Sequence, residues 1–295
     1  MSLIARSKVV IVAALTLVNC ATTKPSFNLR KIEKDRVLKN AVLYLHTVPI
    51  TVTNSACERS AGNPHDFYSE GDYWWPDTQN PEGPYIRKDG MTNPDNFTAH
   101  REALIRFSQI SGALASAYIL THDRKYADEL VLHLRAWFID EKTKMNPNLL
   151  YAQAVKGVAT GRGIGIIDTI HLIEVTKAIQ AIEASQALSK ADLTAIQSWF
   201  TSYLKWLTTH EYGIAERDNG NNHSVCWTMQ VAAFADFIQD KATMDFCRAF
   251  YKNTLLPNQM SANGSFPLEL QRTKPYGYSI FNLDVMANLC QILST

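Results

Sequence analysis

Apolar positions recur at helical spacing along most of this chain. The periodicity predicts helices over residues 31 to 47, Phe97 to Thr121, Lys125 to Phe138, Ile166 to Ala184, Asp192 to His210, Val225 to Gln239 and Lys241 to Leu256. A last helix begins near Tyr278 and is still apolar at Leu293. No alternating run is long enough to predict a β-strand. The reading is an all-α fold of paired antiparallel helices joined by short polar loops.

Two stretches break the rhythm. Residues 52 to 96 hold five prolines (Pro64, Pro76, Pro81, Pro84 and Pro94) and a crowd of aromatics, among them Tyr73, Trp74, Trp75 and Tyr85. A long irregular insert in a compact domain is usually functional, and a disordered linker would be poor in Trp and Tyr. The second break is Arg217-Asp218-Asn219-Gly220-Asn221-Asn222-His223-Ser224. Asn and Gly accept left-handed backbone, so Asp218 to Asn221 is expected to turn, with Asn222 and His223 at the start of the next helix. On local residues alone this stretch reads equally well as a capped turn with no chemistry.

Composition narrows the class. The chain has 295 residues, 46% of them hydrophobic, enough for a sizeable core. A formal net charge of +1 argues against nucleic acid as a partner, yet a local basic cleft could still take a polyanion. Arg6, Lys8 and the apolar Val9 to Val18 form an export signal over residues 1–20, too short for a membrane span of about 20 residues. Cys20 stands in a lipoprotein-like box, with Asn19 where a small residue is usual, so a lipid anchor there or a plain cleaved signal are both open. Residues 21–30 are a polar tether, and 31–295 form one domain. The other cysteines show no metal-ligand spacing; Cys226, Cys247 and Cys290 are expected in the core, and Cys57 is the one plausible disulfide partner.

Several chemistries lack their signatures. Gly161-Arg162-Gly163-Ile164-Gly165 has no preceding strand and no following Lys-Ser/Thr, so it reads as a tight helix entry where backbone meets backbone. No G-x-S-x-G elbow is present, and no loop carboxylate is marked out as half of a hydrolase pair. What remains is Asn222, His223, Arg272 and Tyr278, a set suited to β-elimination beside a carboxylate. Donors must hold that carboxylate while charge spreads into it, a base must take the C5 proton, and an acid must protonate the leaving oxygen. A Tyr serves as acid and base if a nearby cation lowers its ordinary pKa of about 10. Pro275 and Gly277 are expected to bend the chain so that Arg272 and Tyr278 reach one cleft. Equally, Arg272 could pair with Glu269 on the surface and Tyr278 could be a half-buried helix-start aromatic. Trp74 and Trp75 could stack on sugar rings or pin the long loop to the core.

From about Ser60 to its end the chain resembles the alginate lyase superfamily, polysaccharide lyase families 5 and 38, and family 38 most closely. The resemblance rests on Gly71-Asp72-Tyr73-Trp74-Trp75-Pro76, Asn146-Pro147-Asn148-Leu149 with Tyr151-Ala152-Gln153, the segment Gly161 to Asp168, Asn221-Asn222-His223-Ser224, and Glu269-Leu270-Gln271-Arg272 with Tyr278. It implies an α/α toroid and endo-acting cleavage of uronate polymers without a metal or other cofactor. Asn222, His223 and Arg272 would neutralise the carboxylate. Tyr278 would be the acid and, for mannuronate-type geometry, also the base; His223 would be the base where the C5 proton lies on the opposite face. Tyr73, Trp74, Trp75, Arg87 and Arg162 would bind substrate, as would Asn148, Tyr151, Gln153 and Tyr276. Family 5 spaces its Arg and Tyr one position further apart, which keeps Tyr276 as a weaker candidate for the acid. The chain also ends earlier than a complete toroid would, giving an incomplete one. The expected partner is an acidic polysaccharide, alginate or glucuronan, met by a monomeric exported protein that touches membrane only through Cys20. A non-catalytic uronate-binding lipoprotein and a toroid glycoside hydrolase are the alternatives.

Overall fold

The computed structural model describes residues 27–294. The export signal, Cys20 and most of the tether lie outside the described residues.

The expected helices form, in two layers. Helices α2 (Ala99–Thr121), α4 (Leu172–Ile182), α7 (Asn222–Ile238) and α11 (Pro275–Leu293) pack side by side in that order, and α1 (Leu29–Val42) lies against α2. Behind them run α3 (Arg124–Phe138), α5 (Lys190–Thr209) and α8 (Lys241–Phe250), with α3 on α2 and both α5 and α8 on α7. Short helices α6 (Glu211–Arg217), α9 (Leu256–Gln259) and α10 (Pro267–Leu270) sit in the connections. This is the inner and outer helix arrangement of an α/α toroid.

Helix α7 is the hub. Nearly every residue along it is buried, from Val225 to Phe237, and His223 is the exception in its first turn. A helix that is apolar all round has no solvent face to keep, so it goes to the middle of the core. Phe200, Phe234 and Phe237 meet there, with ring centroids 5.1 and 5.3 Å from Phe200. Trp227 fills the other flank and donates its indole N–H to the Leu207 carbonyl.

Three expectations need correction. Four short strands exist: β1 (Tyr68–Glu70) pairs in parallel with β4 (Tyr151–Ala154), and β2 (Trp74–Trp75) pairs antiparallel with β3 (Ile86–Arg87). The helix expected over Ile166 to Ala184 begins as a tighter 3₁₀ segment, Gly163–Thr169, before α4. The glycines there make the close backbone contact expected of them. A Cβ on Gly161 would lie 1.9 Å from the Leu150 carbonyl oxygen, and one on Gly165 would lie 2.5 Å from Ala152 Cβ. Third, Cys290 is exposed on the outer face of α11, while Cys226 and Cys247 are buried as expected and Cys57 carries a free thiol. The helix after α8 also widens into a π turn, Tyr251–Leu255, just before Pro257. A proline lacks the N–H and crowds the carbonyl four residues back, and a wider turn relieves both.

Candidate active site

The turn at residues 218–221 forms as its composition requires. Gly220 adopts φ +83°, and Asn221 caps α7 by accepting from the His223 backbone N–H at 2.9 Å. Asn222 and His223 are therefore the first two residues of the most buried helix in the molecule. Each is held by an acid. Glu269, on α10, accepts from the Asn222 backbone N–H at 2.9 Å and from its side-chain amide at 2.8 Å. Glu216, at the end of α6 with a fully buried side chain, meets His223 Nδ1 at 2.6 Å. A carboxylate acceptor there places the ring proton on Nδ1 and leaves Nε2 unengaged.

The chain between α10 and α11 bends, and Pro275 opens α11. The bend folds Arg272 back onto Tyr278, with the guanidinium carbon 3.9 Å from the ring centroid. Arg272 does not pair with Glu269; it pairs with Asp89 at 3.0 Å. Burial disfavours its charge, but Asp89 and the neighbouring tyrosine outweigh that and raise its pKa. The Tyr278 hydroxyl lies 2.8 Å from that of Tyr73. Burial, followed by this hydrogen bond, pushes the Tyr278 phenol above its ordinary range, and Arg272 offsets only part of the rise. The cation that sequence reasoning asked for is present, yet the net direction is opposite to the one expected.

These four residues line one cavity of about 640 Å³. Tyr73, Trp74, Arg87, Gln153 and Arg162 line it too. Five cationic side chains (Arg87, Arg101, Arg162, Arg272 and Lys274) face two carboxylates, Asp72 and Asp168, so the cleft is basic although the chain is nearly neutral. Arg101, in the first turn of α2, binds Asp72 at 2.7 Å and Asp168 at 3.4 Å.

Four expected contacts lie off this cavity. Trp75 donates its indole N–H to the Met91 carbonyl and carries Lys88 over its ring, so it pins the loop while Trp74 faces the cleft. Asn148 spends its side-chain oxygen on the Leu150 backbone N–H. Tyr151 packs its ring over Gly62. Tyr276 is 79% exposed, because the first turn of α11 points it away from Tyr278. Conversely, Asn219 and Asn221, assigned above to the turn alone, also line the cavity. Glu216, Asp89 and Arg101 were not singled out as site residues. Glu216 precedes His223 by seven positions on a different helix, and nothing in that spacing marks it. Asp89 is one of several acids in the loop segment, and nothing in the sequence marks it as the partner of Arg272.

An inner ring of helices whose starts converge on a basic, aromatic-rimmed cleft defines a polysaccharide-processing enzyme of the α/α-toroid class. Residues 51–295 match the model of the alginate lyase family. The chain belongs to that family and is a polysaccharide lyase. Among solved structures it is similar to an alginate lyase from Bacteroides ovatus, with 33% identity and TM-score 0.82 over 90% of this chain and 73% of that one. The fold is shared with alginate lyase A1-III from Sphingomonas species A1, at 14% identity and TM-score 0.51 over 88% of this chain and 70% of that one. A form of alginate lyase A1-III complexed with a tetrasaccharide also shares it, with TM-score 0.52 and 14% identity over 88% of this chain and 69% of that one. No curated protein matches.

Proposed function

We propose that this chain depolymerises alginate, a 4-linked polyuronate, by β-elimination, with His223 as base and Tyr278 as acid. The observation that carries the reading is the convergence of Asn222, His223, Arg272 and Tyr278 on one basic cleft, each with a distinct hydrogen-bonding partner. In the reaction His223 Nε2 takes the C5 proton. The carboxylate beside C5 receives the developing charge, held by Arg272 and by the second N–H of the Asn222 amide. The C4–O bond then breaks, the C4=C5 double bond forms, and Tyr278 gives its proton to the departing oxygen. A phenol whose pKa is raised keeps that proton at neutral pH, which suits the acid role. To act as base it would first have to lose it, through the adjacent Tyr73 hydroxyl.

Supporting this over hydrolysis, the acids nearest the four residues are already committed. Glu216 holds His223, Glu269 holds Asn222, and Asp89 holds Arg272. The faces of Tyr73 and Trp74 supply the stacking wall for sugar rings. The basic and apolar N-terminal stretch supports export to the periplasm or cell envelope, where such polymers are met.

Incubation with mannuronate-rich alginate, guluronate-rich alginate and glucuronan, followed by ultraviolet absorbance of the unsaturated product, tests the reading. Absorbance is expected to rise on alginate. New chain ends without absorbance would establish hydrolysis instead, and a rise on glucuronan alone would replace the substrate.

A further inference from the structure

The helices that carry the proposed base and acid are joined by a buried strut of two amides. Asn282 sits on α11 one turn after Tyr278. Its side-chain N–H donates to the Gln259 side-chain oxygen at 3.3 Å, and the Gln259 amide donates at 2.8 Å to the backbone carbonyl of Asn221. Asn221 caps α7, and its own side chain holds the His223 backbone N–H. The path thus runs from the turn that carries Tyr278 to the turn that carries Asn222 and His223. Its polarity is fixed. A carbonyl only accepts, so Gln259 turns its nitrogen to Asn221 and its oxygen to Asn282, which must then donate. Gln259 is 4% exposed and Asn282 1%. Among the described residues the buried side-chain oxygen of Asn282 meets no donor.

A buried amide with part of its bonding unmade costs stability, and an apolar side chain of like size would pack there without that cost. Stability does not account for the pair; its placement does. We propose that Gln259 and Asn282 are positioning residues that set the separation of the acid Tyr278 from the base His223. This rests on the elimination reading above. Neither side chain lines the cleft, so both act through Asn221 and through α11. Tyr73 holds the Tyr278 hydroxyl from the loop side, while the strut holds the helix that carries it from the core side. The chemistry requires this register. The base meets the proton on C5 while the acid meets the oxygen leaving the adjacent C4, and a misplacement of about 1 Å can cost about 100-fold in rate.

The test uses Gln259→Met and Asn282→Leu, which keep the bulk and remove the amides, alone and together, on alginate oligomers. Each single variant is expected to lower kcat about tenfold with KM within about twofold. The double variant is expected to lose no more than the larger single loss, because one path is cut twice. Urea midpoints are expected to hold or rise. An unchanged kcat in the folded variants, or a loss confined to KM, would overturn the proposal. So would losses that multiply in the double variant. A midpoint that falls overturns it as well, since the amides would then be holding the fold and not the site, and variants that do not fold count with that result. Failure of the elimination reading is distinguishable, because it shows as no unsaturated product from the wild type on any polymer.

Discussion

The two walls of the cleft are built differently. One wall consists of helix starts: Asn222 and His223 on α7, braced by Glu269 and Glu216, which are 1% exposed each. The other is the aromatic loop, whose hold on the site runs through a phenol pair, Tyr73 to Tyr278, and through Asp89 on Arg272, Arg87 and Thr273. Buried carboxylates cannot trade their partners for water, so the first wall is fixed in geometry. The pairs of the second are partly solvated and can be exchanged for a ligand. The difference teaches a division of labour in which the proposed base, His223, is fixed by the core, while the acid Tyr278 and the carboxylate-holding Arg272 are tied to the more exchangeable loop.

Substitutions can break this comparison. The largest effect is expected for Tyr278→Phe, which lies where the two walls meet: kcat should fall at least about 100-fold. A variant with full activity would remove Tyr278 from the mechanism. Glu216→Gln is expected to lower kcat about 10- to 100-fold with KM within a few-fold, because the carboxylate that stabilises His223 once it has gained a proton is gone. If KM moves and kcat does not, the helix wall is a binding wall and the division fails. Gly161→Ala should lower stability by about 2–3 kcal/mol in urea unfolding, as its Cβ meets a backbone carbonyl that cannot yield. Asp89→Asn should change stability by under about 1 kcal/mol, as expected of a partly exposed pair.

Acid sharpens the same contrast. Burial works against the Asp89 charge, but Arg272, Arg87 and Thr273 hold its pKa down to about 2. The folded value lies below the unfolded value of about 3.9, so its contribution is complete above that and is lost as pH falls towards 2. Trp75 fluorescence, reporting the loop, should therefore be constant between pH 7 and about 4. His133, in the core, behaves otherwise. Burial, with Arg106 nearby, depresses its pKa to about 4, so its contribution is full above about 6.5 and is lost as pH falls through 4. Urea midpoints should decline across that interval, and less so in His133→Gln.

Much of this was legible in the order of residues. Helix periods are local, and each predicted helix formed near its expected place. The strands were not legible, because β1 and β4 are three and four residues long and pair across some eighty positions of chain. Asn222 and His223 could be placed from the Asn-Gly turn, and Arg272 with Tyr278 from the Pro-Gly interruption. Their partners could not be placed, since Glu216 and Asp89 look like any other surface acid until the helices assemble. Tyr278's proton affinity was misjudged for the same reason. Arg272 was anticipated, but the burial and the Tyr73 hydroxyl that overrule it come from tertiary packing.

The start of α11 lies on the cleft with no acid in its own first turn, whereas the start of α7 is already met by the Glu269 carboxylate. Aligned peptide dipoles leave about half a positive charge at the start of α11. This part of the pull on a polyanion belongs to the backbone. It has no proton to lose at any pH, and no side-chain exchange deletes it. Added salt is what weakens it, with a screening length of about 8 Å at physiological strength. A variant stripped of every cleft cation should still retain a salt-sensitive remnant of affinity for its polymer.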